Sequence, residues 1–227
     1  MTTNQTRTQT STDTLRIAIF GASGQVGRRL VEESTRRGHR VTAIARRSPD
    51  AGTLPEGVQT RSRDVLSADD LPQIAADHDL VIAALRPPSG KEPVMVDQTA
   101  AVVGAALDSG TRFIIVGGAA PLRFPDAPEH SVLTKPGYLP DFIVPIATAS
   151  QQQHDWLKPR LGALGTLICP PPMLVAGERT EQYRIGEGTL VVDDAGESSI
   201  SMEDFAVALL DEAEHPTHTG RVFTVAY

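Results

Sequence analysis

The 227-residue chain has one cysteine, Cys169, one tryptophan, Trp156, and three tyrosines. A single thiol excludes an internal disulfide and any zinc site built from several cysteines. No apolar run approaches the ~18 residues of a membrane-spanning helix. The opening stretch, MTTNQTRTQTSTDT, lacks the apolar core of a secretory signal. These absences together give the expectation of a cytoplasmic protein. Basic residues are not in excess either. The net charge of −7 argues against broad nucleic-acid binding, which needs a basic face. A small molecule is the expected partner, with neither nucleic acid nor membrane, and the oligomeric state is not legible.

What is present is an ordinary globular composition, 40% hydrophobic and 22% charged. The charge is uneven. Residues 1–86 carry 12 Arg against 10 acids, whereas residues 87–227 carry 9 Lys or Arg against 18 acids. The first part is the better host for an anion.

Residues 1–14 read as a flexible tail, and residues 15–227 as one domain with a small C-terminal cap. Short apolar runs at Leu15–Phe20, Arg40–Ala45, Val58–Arg61, Leu80–Leu85 and Arg112–Val116 alternate with helical stretches at Gly24–Arg37, Ala68–Ala76 and Val94–Asp108. Most of these strands are continuously apolar, as in a parallel sheet covered on both faces. The second part is less regular. A proline-rich stretch, 121–145, reads as a long surface loop. A helix follows at Ala147–Leu157, then a strand at Gly165–Cys169 ending in three prolines. Gln182–Val192 reads as a hairpin about Gly186–Gly188. Met202–Glu214 reads as a helix capped by Ser201, and Val222–Val225 as the last strand. Elements of a substrate pocket are expected within about 120–200.

The chemistry begins at Gly21-Ala22-Ser23-Gly24-Gln25-Val26-Gly27, between the first strand and the first helix. Glycines spaced G-x-x-G-x-x-G let a pyrophosphate approach a helix N-terminus, where free N–H groups and the helix dipole favour anions. A second strand follows at the distance a βαβ unit requires, so a dinucleotide is expected. An NAD site usually places an acid at the end of that second strand. Here Ala45-Arg46-Arg47-Ser48 stands there, and the first acid is Asp50. Paired guanidinium groups suit a 2′-phosphate, so NADP(H) is favoured over NAD(H).

GASGQVG resembles the turn of the atypical short-chain dehydrogenase/reductase superfamily, whose members bind NAD(P)H on a Rossmann-type, doubly wound parallel sheet. FIIVGGAA, CPPPML, GERTEQYRIG and RVFTVAY resemble segments of a narrower group, the small NAD(P)H-flavin reductases related to biliverdin reductase B. NmrA-like proteins are more distant. The resemblance spans Leu15–Tyr227. It implies Asp64 and Val65 at the adenine, and Ala83, Ala84 and Leu85 along the ribose and diphosphate, with Arg86 at the mouth. It also implies Gly117, Gly118 and Ala119 beside the nicotinamide, and Pro170, Pro171, Pro172 and Met173 at the carboxamide and substrate.

Two features of the superfamily are missing. Tyr138 is followed four residues later by Phe142, and Tyr183 by Glu187, so no Tyr-x-x-x-Lys pair exists. The segment after the fifth strand offers only Gly and Ala where a serine is usual. The standard proton donor for a ketone is therefore absent. Flavins and quinones take hydride into a conjugated system and can draw a proton from water. His154, in a segment resembling one with an active-site histidine, is the remaining acid–base candidate. Tyr138 is a candidate to cap the substrate.

Other signals carry less. His215 and His218 lack a third ligand, so no metal is expected. Asp193-Asp194 reads as a turn, Cys169 as buried and inert, and Trp156 as helix packing. Glu178-Arg179-Thr180 either shapes the pocket rim or ties Arg179 to a carboxylate. The leading expectation is an NADPH-dependent reductase of a planar conjugated acceptor, with any flavin a substrate rather than a bound cofactor. A non-enzymatic NADP(H)-binding redox sensor and a tailoring enzyme of specialised metabolism (reductase, isomerase or dehydratase) remain alternatives.

Overall fold

The computed structural model describes residues 13–47 and 54–227. Asp50 and Ser48 lie outside the described residues. The elements run β1 (Arg16–Phe20), α1 (Gln25–Arg36), β2 (Arg40–Ala45), β3 (Gln59–Ser62), α2 (Leu71–Ala76), β4 (Leu80–Ala83), α3 (Met95–Ser109), β5 (Arg112–Val116) and α4 (Val144–Leu157). They continue β6 (Gly165–Cys169), β7 (Met173–Val175), β8 (Arg184–Gly186), β9 (Ser199–Ser201), α5 (Met202–Glu214) and β10 (Val222–Ala226).

The main sheet has the order β3-β2-β1-β4-β5-β6-β10-β8. All pairings are parallel except β8 on β10. The strand order reverses between β1 and β4, and ligands of doubly wound sheets bind beyond the strand ends at such a switch point. This is the Rossmann-type α/β architecture expected from the sequence. The period-two geometry of a strand divides the core. Ala18 and Phe20 of β1 face a cluster with Ile74, Val102, Val103 and Leu157, from α2, α3 and α4. Ile17 and Ile19 face the opposite cluster, with Leu30 and Val31 of α1 and Phe205, Leu209 and Leu210 of α5.

Several expectations need correction. The apolar run Leu80–Leu85 is strand only to Ala83. Ala84, Leu85 and Arg86, which follow it, line the cleft described below. The helix expected from Ala68 starts at Leu71, because the N–H groups of Ser67 and Ala68 close a turn on the Asp64 carbonyl and Pro72 then opens the helix. Gln182–Val192 does not pair as a hairpin. Its strand β8 instead adds antiparallel to β10, through Val225 opposite Ile185, and covers the sheet edge. The stretch 121–145 is not merely a surface loop: Leu122, Phe124 and Val132 are buried in the core. Lys135 sits 3.8 Å over the Phe124 ring. The small parallel pair β7 and β9 was not foreseen, since three-residue strands leave almost no periodic signal.

Ser201 caps α5 as expected, its Oγ accepting from the Asp204 N–H at 2.9 Å. The same helix turn anchors the 178–181 segment. Asp204 accepts from Thr180 N–H at 2.8 Å, Thr180 Oγ1 at 2.6 Å, Glu181 N–H at 2.8 Å and the Tyr227 hydroxyl at 2.7 Å. Burial pushes this carboxyl up, but the hydrogen bonds to its charged form outweigh that and hold it below the usual range. Arg179 is tied to the fold too, donating to both oxygens of buried Glu33 at 2.7 and 2.8 Å. Of the two roles open for Arg179, the carboxylate pairing is present.

Candidate functional site

The glycine turn is shaped by its neighbours. Gly21 has φ +82°, a left-handed backbone that L side chains rarely adopt, and a Cβ there would lie 2.3 Å from the Ala84 carbonyl oxygen. Its N–H and that of Ala22 both donate to Ile44 O, at 2.9 and 3.1 Å, which fastens the turn to the end of β2. Gly24 is the N-cap of α1 and provides no side-chain cap, and the first turn contains no acid. The first N–H groups of α1 thus keep their donors and dipole for an outside anion. These features fit a dinucleotide pyrophosphate.

Around this turn, the C-terminal ends of β4, β5 and β6 open a cleft of about 670 Å³. Gly24, Gln25 and Val26 form one end. Ala84, Leu85 and Arg86 form a second wall, Gly117, Gly118 and Ala119 a third, and Pro170, Pro171 and Pro172 a fourth. Segments as far apart in the chain as Gly24 and Pro172 thus converge on one cleft. Gly117 has little room for a side chain, since a Cβ would meet Leu167 Cδ1 at 2.9 Å and Cys169 Sγ at 3.3 Å. Cys169 itself is fully buried, which pushes its thiol up to about 12. It is inert at neutral pH.

Other expected positions flank the cleft rather than line it. Ala83 is buried in β4, and Ser23 is exposed in the turn. Asp64 follows β3 beside the end of β2, where Arg63 N–H donates to Ala45 O at 2.9 Å. Asp64 Oδ1 accepts from Leu66 N–H at 3.1 Å, and Val65 is buried beside it. Arg46 and Arg47 are exposed at the same edge, just past Ile44, and neither has an ion-pair partner among the described residues.

Three expected residues are placed away from the cleft. His154 does not line it. Its Nδ1 lies 2.9 Å from Asp155 Oδ1, and its side chain is mostly covered but not among those lining the cleft. Tyr138 packs edge-on against Phe124, with ring centroids 4.9 Å apart, and its neighbour Leu139 faces the cleft instead. Met173 is exposed, and Leu174 takes the lining position. In each case the side chain one position along faces inward, because direction is set by helix or strand phase rather than by proximity in sequence.

Sequence reasoning missed the far wall. Ile143, Ile146, Ala147, Ser150 and Gln153 lie at helical spacing along one face of α4 and line the cleft with Met95, Val132 and Met202. The three- and four-residue spacing was the available signal. The polar side chains in the lining are those of Gln25, Arg86, Ser150 and Gln153. No tyrosine, lysine, histidine or carboxylate is among them. His218 meanwhile stacks on Phe223 at 4.2 Å and bonds Glu212 at 2.9 Å, distant from any metal-like grouping, and no cluster of three metal-ligating side chains occurs among the described residues.

The sheet order, the uncapped helix at a glycine turn and the cleft at the switch point define a dinucleotide-binding protein of the atypical short-chain dehydrogenase/reductase type. The chain belongs to the NAD(P)H-binding family whose model matches residues 21–216. It is 30% identical to the uncharacterized protein YwnB of Bacillus subtilis over 213 residues, covering 93% of this chain and 98% of that one. A solved structure of a provisionally named NADH-flavin reductase from Streptococcus pneumoniae superimposes with TM-score 0.83 at 26% identity, covering 93% of this chain and 99% of the other. A provisionally named epimerase from Bacteroides thetaiotaomicron gives TM-score 0.83 at 30% identity, covering 95% and 98%. The family match places the protein among NAD(P)H-binding proteins. Among the described residues no helix is long and apolar enough to cross a membrane.

Proposed function

We propose that this protein reduces a planar conjugated acceptor, a flavin or quinone, with NADPH as the favoured donor. The observation that carries the reading is the chemistry of the cleft wall. Away from the glycine turn it is largely aliphatic, from Val132, Leu139, Ile143 and Ile146, with Ser150 and Gln153 as its polar side chains, and no titratable acid lines it. A wall of this kind holds a flat apolar ring by burial and protonates nothing.

The residues present fit the cofactor. Gly21 to Gly27 and the α1 N-terminus would receive the pyrophosphate. Arg46 and Arg47, exposed and without ion-pair partners among the described residues, would receive a 2′-phosphate by charge-assisted hydrogen bonds. Gly117, Gly118 and Ala119 would leave room for the nicotinamide. When bound, the reduced nicotinamide supplies a hydride. The chain's own task is to stack the acceptor against that ring and exclude water from it, while the balancing proton comes from solvent. The relative named as an NADH-flavin reductase supports this substrate class.

The test follows NADPH and NADH oxidation with FMN, FAD and menadione. Catalysed oxidation with NADPH preferred is expected. Tight NADPH binding without turnover on any acceptor would instead favour the redox-sensor reading, which the acid-free cleft also suits. A tailoring role would show as turnover confined to one specialised metabolite.

A further inference from the structure

Ser150 differs from four other helical hydroxyl residues and shares its state with Ser34 of α1, which lies away from the cleft. Thr35, Thr99, Ser109 and Thr148 all lie inside helices, and each hydroxyl donates to the carbonyl four residues back, at 2.8 to 2.9 Å. That is the default partner for a helical hydroxyl. Ser150 makes no such bond. Its Oγ is buried and has no hydrogen-bond partner among the described residues. The residue is 7% exposed. An unsatisfied buried hydroxyl is unfavourable, and folds retain one where function requires it. Two other buried side-chain atoms among the described residues share this state, Ser34 Oγ and Gln98 Oε1, but neither residue lines the cleft.

The position of the hydroxyl gives it a role. A Cβ built on Gly118 would lie 2.4 Å from Ser150 Oγ and 3.1 Å from Ser150 Cβ. The serine hydroxyl thus occupies the place where a side chain of residue 118 would begin, in the segment after β5 that here has only glycine and alanine. Helix α4 returns to this spot a hydroxyl that the loop does not supply. One rotamer step is enough to redirect a serine hydroxyl within the cleft.

We infer that Ser150 Oγ donates a hydrogen bond to a ring-conjugated carbonyl oxygen of the acceptor, and so selects quinone- or flavin-like carbonyl compounds for this cleft. The inference rests on the proposed acceptor class. A proton and two electrons would leave the reduced nicotinamide together as hydride and form a bond to the acceptor ring. Negative charge gathers on the carbonyl oxygen, the Ser150 hydroxyl stabilises it, and a solvent proton neutralises it. Serine does not itself lose its proton, since its hydroxyl is far too weak an acid.

The test compares wild type with Ser150→Ala and with Gly118→Ser/Ser150→Gly, which moves the hydroxyl from helix to loop. Three quantities are read: menadione affinity of the NADP⁺-loaded protein by calorimetry, NADP⁺ affinity, and melting temperature. Ser150→Ala is expected to weaken menadione binding about 3- to 10-fold, the worth of one hydrogen bond. NADP⁺ affinity should stay unchanged, and the melting temperature should hold or rise by about 2–4 °C as an unsatisfied group is removed. The paired variant should regain menadione affinity relative to Ser150→Ala. Menadione binding that is absent in wild type, or unaltered in Ser150→Ala, overturns the inference. So does a loss of NADP⁺ affinity in its place. Ser150-dependent binding in a protein that turns over no acceptor would sustain this inference while refuting the reductase.

Discussion

Gly27 lies with its Cα against the carbonyl of Gly21, so close that a Cβ on residue 27 would stand 2.1 Å from that oxygen. The obstacle is backbone, not the tip of a flexible side chain. A Gly27→Ala substitution must therefore push the first turn of α1 away from the loop that precedes it. NADPH affinity is expected to fall at least 10-fold, with a lower melting temperature. Fluorescence titration and thermal unfolding measure the two effects.

Arg46 and Arg47 are expected to act on the donor alone. Hydrogen bonds to a charged phosphate contribute about 1.5–3 kcal/mol, so losing one raises the KM for NADPH by roughly 10- to 100-fold. Arg46→Ala and Arg47→Ala should leave the KM for NADH within about twofold. Steady-state kinetics with both donors checks this. Equal losses for the two donors would remove the 2′-phosphate assignment.

His154 is expected to matter little. Its ring faces Asp155 and not the cleft, so His154→Ala should keep kcat for menadione within about twofold of wild type. The pH profile of the variant should overlay that of the parent. A kcat loss of tenfold or more would return the histidine to the chemistry.

Asp204 sets an acid limit on stability. Its carboxyl titrates below the unfolded value near 3.8, because Thr180, Tyr227 and Glu181 hydrogen-bond its charged form more strongly than burial disfavours it. A depressed folded pKa gives stability that is complete above the unfolded value and is lost as pH falls through the folded one. Denaturant unfolding of wild type should weaken below about pH 4, whereas Asp204→Asn should be less stable by about 2–3 kcal/mol at neutral pH and less pH-dependent. The 178–181 segment and the C-terminal Tyr227 should loosen together in that variant, as hydrogen exchange would report.

The glycine-turn side of the cleft was legible in the sequence, and the α4 wall was not. Glycine spacing reports backbone constraints directly, since Gly21 and Gly27 are forced by close approach. Strand ends such as Ala84 and Gly117 follow from apolar runs that the parallel sheet buries on both faces. The far wall depends instead on the phase of α4 and on the packing of 121–143. One residue of phase separates Gln153, which lines the cleft, from His154, which does not, and only tertiary packing fixes it. Likewise nothing local distinguishes Ser150 from Thr148, two positions earlier, although one hydroxyl bonds its own helix and the other does not.

The most direct measurement is initial-rate NADPH oxidation by the purified protein with menadione and FMN, across pH 6 to 8. The expected result is saturable turnover on at least one acceptor, with NADPH preferred to NADH and no protein acid governing kcat over that range. Binding of NADPH with no oxidation above background, on either acceptor, would contradict a reductase working through an acid-free cleft.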